Sequence, residues 1–526
     1  MSVADAEAEV DVLIVGGGPV GLTARAMLER WGVSVALVEK HSGLAPFPRS
    51  RLLNVRTMEI YRQVGLAVRI SARAFSPEYG QVRFRDTMRD PDWASAGLTG
   101  VNEPIPESPV IGVVTSQDRL EPILFASADA PVRYELELVD LVEGPDIVVA
   151  RLVDHVAGAE VSIRARYVLG ADGANSSVRQ LMGIGVVGPG VLGTFATVVF
   201  DGDLDQRGGG EPAGVYFTAN GLIAPLYPEG GWAWFGPMPE PGAGEGIDWQ
   251  GVIYRALGPD GDTGIEVRRV QQWTMNAFVA QRCGQGRVLL AGDAVHAIPP
   301  VGGMGLNTGV ADVHNLCWKL AGVLHGWAAP SLLESYQAER LPVAHHTLRQ
   351  AVANSQLAAQ AQVARRAQLQ DDPGTPARVE LPWSRRYFAQ LGLVLGCAYR
   401  SDAVLSDGAP EPSDPGEDYL ATAEPGHRMP HLWLTSDRST LDSLGEWFTV
   451  LTPAPAWWDR QDAGPYPLRI EALSDEAAQL WGLGARGALL VRPDGYIGAR
   501  WSDHRPGHRT LREALAELVG TGRAAG

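Results

Sequence analysis

The feature that most limits what this chain can fold into is Gly16-Gly17-Gly18-Pro19-Val20-Gly21, a GxGxxG run set between an apolar segment and a helix-prone one. Val10 to Val15 reads as a buried parallel strand that ends at the glycines. Pro19 to Trp31 reads as a helix and Ser34 to Glu39 as a second strand, which completes a βαβ unit. In such a unit the first glycine permits a tight turn, the second lets the backbone approach a pyrophosphate, and the third lets helix and strand pack closely. The helix N-terminus, opened here by Pro19 and Val20, turns free N–H groups and the positive end of its dipole toward that phosphate. Glu39, with Lys40 beside it, closes the second strand, where an acid accepts the ribose hydroxyls of an adenosine. The run by itself does not separate FAD from NAD.

Two later motifs do. Tyr167 to Gly170 reads as another buried strand and runs into Asp172-Gly173. Arg287-Val-Leu-Leu-Ala-Gly292-Asp293 places an acid at a strand end, and Pro299-Pro300-Val-Gly302-Gly303-Met304-Gly305-Leu306-Asn307-Thr-Gly309 follows as a glycine-rich loop before a helix expected from Gly309 to about His325. An acid there accepts ribityl hydroxyls, and the loop amides face a flavin's pyrimidine edge and pyrophosphate. In order and spacing these residues resemble the group A flavoprotein monooxygenases, the family of 4-hydroxybenzoate hydroxylase and phenol hydroxylase, and within it the aromatic-polyketide hydroxylase branch.

The resemblance implies non-covalent FAD, a transient reductant that is NADPH or NADH, and O2. It places cofactor contacts at Gly16, Gly18, Pro19, Val20, Gly21, Glu39, Lys40, Asp172, Gly292, Asp293, Pro300, Gly303, Gly305, Leu306 and Asn307. Arg49-Ser-Arg51, followed by Asn54-Val-Arg-Thr-Met-Glu59, is similar to the family's second motif, where an arginine contacts FAD; by its distance from Glu59 that arginine is Arg49. Gln117-Asp-Arg-Leu-Glu-Pro122 is similar to the segment whose glutamine reaches the cofactor. Met304 departs from the glutamine that relatives carry in this loop, a change in polarity beside the flavin. The implied activity is oxygenation, above all hydroxylation, of a polycyclic aromatic substrate through a flavin C4a-(hydro)peroxide. Baeyer–Villiger insertion and oxidative ring rearrangement use the same machinery and stay open, as does a non-catalytic flavin protein. No catalytic base is readable.

At 526 residues two or three packed domains are expected. The expected fold class is α/β: a Rossmann-type FAD-binding domain with an inserted, mostly β substrate subdomain and a smaller C-terminal α/β domain. The resemblance, through Pro425-Gly-His-Arg-Met-Pro-His431 and Val491-Arg-Pro-Asp-Gly495, implies that this last domain is thioredoxin-like. Residues 1–184 form the first part of the FAD-binding domain. Residues 185–280, dense in Gly, Pro, Trp and Tyr, form the β subdomain, with an antiparallel hairpin from Leu222 to Tyr227 and Trp232 to Met238. Residues 281–400 resume the first domain, 401–425 are a Pro- and Asp-rich linker, and 426–526 form the last domain, which lacks a redox CxxC. Its expected role is structural or in oligomerisation, compatible with a homodimer. In the β subdomain Trp232 and Trp234, with Tyr216, Phe217, Tyr227, Phe235 and Trp273, either wall an apolar pocket or pack the subdomain's own core. His296 reads as a hydrogen-bonding residue rather than a base.

Charge narrows the partners. A net charge of −17 argues against nucleic acid and anionic membrane surfaces and leaves a small aromatic molecule as the partner. Cys283, Cys317 and Cys397 stand too far apart for a disulfide framework or a zinc site, which suits a cytoplasmic protein. No apolar stretch approaches the roughly 20 residues of a membrane span. Trp232-Ala-Trp234 matches the WxW of flavin-dependent halogenases, but those need a further lysine, and Lys40 and Lys319, the two lysines present, are not placed for it.

Overall fold

The computed structural model describes residues 8–97, 99–204, 212–240, 246–258, 264–371, 381, 390–406, 415–504 and 507–522. Residues 407–414 of the expected linker lie outside them. The βαβ unit is present: strand Ala8–Val15, helix Pro19–Arg30 and strand Val35–Val38. Gly18 is the N-cap without a side chain to cap with, and Pro19 at N1 needs no hydrogen-bond partner for its nitrogen. The two strands pair in parallel, and strand Ala159–Gly170 runs parallel to the first on its other side. Strand Val288–Leu290 adds to Ala159–Gly170, so the sequence does return to this sheet after the β subdomain. Val12, Leu13, Ile14, Leu37, Val38, Val168 and Leu169 are wholly buried, as strands covered on both faces must be, and strands Leu136–Glu143 and Val148–Asp154 share their core with the helices. Each such side chain contributes ~1.5–3 kcal/mol relative to exposure.

The second large sheet is antiparallel for most of its length. Long strands Val186–Asp201 and Glu266–Ala280 pair with each other, and the expected hairpin, Gly221–Tyr227 with Gly230–Pro237, extends the sheet. It is not built from residues 185–280 alone: strands Gln81–Phe84 and Ala94–Gly97 join one edge and His296–Ala297 the other. The helix after the glycine loop spans Met304–Leu324, five residues longer at its start than the sequence suggests. Gly302 (φ 106°) and Gly303 (φ 64°) make the turn, so Gly305 and Gly309 belong to the helix itself. Gly309 is needed there because an added Cβ would lie 2.6 Å from Val20 and 2.9 Å from the Gly292 backbone.

The C-terminal sheet has the order Leu468–Ala472, Phe448–Thr452, Ala488–Val491, Ile497–Trp501, with the first two parallel and the rest antiparallel. Helix Asp475–Leu480 precedes the last two strands and helix Leu511–Leu518, started by a Thr510–Glu513 capping box, follows them. This is the thioredoxin-like arrangement. Among the described residues no helix is long and apolar enough to cross a membrane.

Candidate functional site

At the carboxyl ends of the parallel strands, with Gly292 packed on Val20, the glycine turn, the loop after Val38 and the Gly292–Asn307 loop meet in a cleft. Its floor is set by close packing. A Cβ on Gly16 (φ 113°) would lie 2.3 Å from the Ala171 carbonyl oxygen, and one on Gly21 would lie 2.0 Å from that of Gly16. A Cβ on Gly18 meets nothing within 4 Å, so the turn leaves space at the helix N-terminus. Gly17 N donates to Glu39 Oε2 at 2.7 Å, while Glu39 Oε1 accepts from His41 N at 2.9 Å and lies 2.5 Å from His41 Nδ1. Lys40 is exposed next to this cluster.

The opposite wall is tied to the first. Arg179 donates to the carbonyls of Ala174 (2.8 Å) and Ala294 (2.9 Å), which locks the Asp172-Gly173 turn to the Gly292-Asp293 turn. Asp172 itself is occupied: its oxygens accept from Ser176 Oγ at 2.5 Å and Val178 N at 3.1 Å, capping helix Ser177–Leu181. Asp293 remains open to solvent yet is walled by protein. Desolvation pushes its carboxyl up; His296 and Arg49 counter this in part, while Asp312 adds to it. Gly305 stands close by, its added Cβ 3.9 Å from Asp293 Oδ1. Pro300 is exposed and its carbonyl accepts from Gly303 N at 2.9 Å. Asn307 faces inward: Oδ1 accepts from Asn54 N (2.9 Å), and Nδ2 donates to the Leu52 and Gly303 carbonyls (2.9 and 2.6 Å). Its side chain braces the loop, and Leu306 next to it is half-buried.

Sequence reasoning missed the groups that hold these residues. Gln117 donates to Glu121 Oε1 at 2.7 Å, and Glu121 Oε2 accepts from Ala45 N at 2.7 Å, so one buried carboxylate fixes both Gln117 and the loop that carries Arg49. Burial raises that carboxyl, Gln117, Ala45 and Arg49 counter it, and Glu39 adds to the rise. The i,i+4 spacing of Gln117 and Glu121 on one helix was the available signal. Asp312 is the second omission. It accepts from Gly292 N (3.1 Å) and Arg340 Nε (2.8 Å) and bonds His296 Nε2 at 2.7 Å, all wholly buried or nearly so. Burial would raise the Asp312 carboxyl, but His296 and Arg340 outweigh it and hold it low. His296 is thus a hydrogen-bonding anchor for the Asp293 turn.

The aromatic residues divide between two faces of the sheet. Trp234 pairs with Val198 and Ile223, Trp232 with Phe200 and Pro225, and both tryptophans pack with Tyr216 in a core covered by helix Trp249–Leu257. The pocket-wall alternative therefore fails for these three. Phe235, one residue on, pairs with Thr197 and Leu222 and so occupies the other face, with Trp273, which pairs with Phe195. Phe195 and Trp273 stack at 5.2 Å, and Trp273 Nε1 donates to Thr197 Oγ1 at 3.0 Å. Phe217 shares this face; it stacks on Phe84 at 4.8 Å and packs near Val301 of the glycine loop. Arg269, also on this face, lies 5.6 Å from the Phe47 ring of the Arg49 loop. The half-buried aromatic face is thus the one turned toward the Arg49 loop and the glycine loop, with helix Glu334–Asp371 packed on it at Phe217. Tyr227, at the hairpin end, donates to Asp118.

An FAD fits this donor set: open space beside Gly18 at a helix N-terminus and carboxylates at Glu39 and Asp293. Residues 9–351 match the family of the FAD binding domain and residues 422–522 that of the aromatic-ring hydroxylase C-terminal domain. The chain is 34% identical to the 4-methyl-5-nitrocatechol 5-monooxygenase of a Burkholderia species, over 94% of each chain. It is 34% identical to the tetracenomycin A2 monooxygenase-dioxygenase of Streptomyces glaucescens, over 97% of each. Among solved structures it is similar to the flavin-dependent monooxygenase PieE in complex with FAD and substrate, with a TM-score of 0.88 and 32% identity over 98% of this chain and 100% of that one.

Proposed function

The chain belongs to the FAD-dependent aromatic-ring hydroxylases, and from that premise we propose that it hydroxylates a polycyclic aromatic polyketide using O2 and NADPH or NADH. The carrying observation is the apposition of an open cleft holding an unpartnered carboxylate, Asp293, to a sheet face bearing Phe195, Trp273, Phe235 and Phe217. A sheet face with this many aromatic side chains suits several fused rings better than one. The relative that acts on tetracenomycin A2 supports the same substrate class.

In this reading the helix at Pro19 and the amides of Gly18 receive the pyrophosphate, Glu39 the adenosine ribose, and Asp293 the ribityl hydroxyls. Gln117, held by Glu121, and Arg49, on the loop that Glu121 ties through Ala45 N, close the cofactor's edge. Bound FAD supplies hydride acceptance and dioxygen activation. The protein's own part is to hold the ligand against the sheet and to keep water out. Flavin reduction is slow in the ligand-free enzyme and accelerated once the aromatic face is filled. The net charge of −17 keeps nucleic acid from being a partner, and three buried free thiols suit the cytoplasm. The test has two parts. Denatured protein releases intact FAD, and mass spectrometry under 18O2 finds one labelled oxygen in the product of a polycyclic phenol. Release of FMN, or product oxygen drawn only from water, refutes the proposal.

A further inference from the structure

The stretch Pro46–Arg51 belongs by sequence to the flavin module but is fastened to the β sheet at both ends. At its start Arg269 Nη1 donates to the Pro46 carbonyl at 3.2 Å, with its guanidinium over Phe47. At its end Arg51 donates Nη1 to the Gly214 carbonyl at 2.9 Å and Nη2 to the Pro225 carbonyl. Gly214 directly precedes strand Val215–Thr218, and Pro225 lies within strand Gly221–Tyr227 two residues beyond its last pair with that strand, so Arg51 bridges the end of the ladder between the two. Arg49 stands between the two fastenings, exposed and within electrostatic reach of both Asp293 and Glu121. Glu121 holds the stretch from the flavin side through Ala45 N.

The two fastenings differ in kind. Arg51 rests 5.6 Å from the Phe75 ring, its Nε is shielded from solvent without a partner, and burial pulls its pKa down to about 10. No carboxylate offsets that desolvation, so the two carbonyls carry its compensation and separating them from it is costly. Arg269 is exposed, and a single carbonyl bond in water is easily given up. One end is therefore fixed and the other releasable. Arg269 also shares its face of the sheet with Gln271 and Trp273, two and four residues along the same strand.

We propose that Pro46–Arg51 is a strap through which occupancy of the aromatic sheet face reaches the flavin site, with Arg269 as the releasable and Arg51 as the fixed positioning residue for Arg49. The inference rests on the ligand-gated reading above. A planar ligand laid along Trp273 displaces Arg269 from Pro46, and Arg49 then moves relative to Asp293 while Arg51 keeps the sheet in register.

Anaerobic stopped-flow of the FAD-loaded enzyme tests this, with NADPH and either 4-methyl-5-nitrocatechol or 1,8-dihydroxyanthraquinone as probe. The flavin difference spectrum on adding probe without NADPH gives a second readout. The unaltered enzyme should show probe-stimulated reduction and a perturbed flavin band. Arg269→Ala should lose at least about fivefold of the stimulation, the lower range of an ordinary coupling between sites. It should also blunt the spectral shift while probe still binds, and Arg269→Lys should restore much of both. Arg51→Lys, which keeps the charge but cannot span both carbonyls, should uncouple likewise. A stimulated parent whose Arg269→Ala and Arg51→Lys forms keep full stimulation overturns the strap alone. A parent that turns over probe with no stimulation overturns the gated reading and the strap together.

Discussion

The flavin module meets the rest of the molecule along two seams that are built in opposite ways. Toward the C-terminal domain the seam is dense with buried ions. Glu339 accepts from Arg492 at 2.6 and 2.9 Å, from Lys319 at 2.8 Å and from Ser401 at 2.6 Å. Glu59 accepts from Arg428 at 2.9 Å and Arg56 at 3.1 Å, and all of these charged groups are shielded from solvent. Toward the β sheet the seam is aromatic and half-open: Arg51 and Arg269 bind main-chain carbonyls, and an ion pair that crosses it, Arg119 with Glu229, is open to solvent on the Glu229 side. Paired buried charges fix a geometry and tolerate no loss of a partner, whereas apolar faces part and close again at small cost. The first seam is built to stay shut and the second to admit a ligand. The shut seam also reaches the cleft: Glu339 is followed in the chain by Arg340, whose bond to Asp312 holds the amide of Gly292.

The largest effect that would break this contrast is expected at Glu339. Glu339→Ala leaves Arg492 and Lys319 as buried cations without their shared carboxylate and should cost about 3–5 kcal/mol in chemical denaturation. Arg269→Ala, on the open seam, should change stability by no more than about 1 kcal/mol. Equal losses in the two variants would mean that both seams are rigid.

Asp293→Ala comes next. It removes a charged acceptor worth roughly 1.5–3 kcal/mol per hydrogen bond, so FAD affinity measured by fluorescence should fall by about 10- to 100-fold with the fold intact. Asp172→Ala should do the reverse, lowering the melting temperature more than the affinity, because its carboxylate caps a helix.

How much of this was legible beforehand follows the range of the interactions. The turn glycines, Glu39 and Asp293 stand at strand ends, and local pattern places them. The fates of Trp232 and Trp234 were not legible, because alternation puts residues on a common face without saying which face a helix will cover. Nor was the Glu339–Arg492 pair, 153 residues apart, since nothing local marks a buried charge until its partner arrives. The recruitment of Gln81–Phe84 into the sheet escaped for the same reason: its partner, Val215–Thr218, lies far along the chain. The early helix start at Met304 was hidden by glycines that read as loop but serve close packing.

Acid should open the shut seam before the core. Burial alone would raise the carboxyls of Glu339, Glu59 and Asp312, but Arg492 and Lys319, Arg428 and Arg56, and His296 and Arg340 outweigh it and hold all three low. The unfolded chain therefore binds more protons than the folded one below about pH 4, near the ordinary carboxylate range. Their stabilisation is full above that range and is lost progressively as pH falls from it toward their lower folded values. Melting temperature should drop from pH 5 to pH 3, and Glu339→Gln should flatten the drop. An unchanged slope in that variant would remove the seam as its source.

The smallest expected effect separates the two faces of the sheet. Phe235 and Trp234 are neighbours in sequence, yet one is half-buried on the aromatic face and the other lies in the core at 3% exposure. Phe235→Leu gives up an aromatic contact of roughly 0.5–1.5 kcal/mol, so a polycyclic phenol should bind about 2- to 10-fold more weakly while stability barely changes. Trp234→Leu also loses the bond from its indole N–H to the Asn220 carbonyl at 2.8 Å and leaves a cavity under helix Trp249–Leu257. It should lower the melting temperature with ligand affinity nearly unchanged in the folded fraction. Isothermal calorimetry beside thermal denaturation reads both quantities. If Trp234→Leu weakens the ligand and Phe235→Leu does not, the half-buried aromatic face is not the binding face, and the open seam loses the role given to it here.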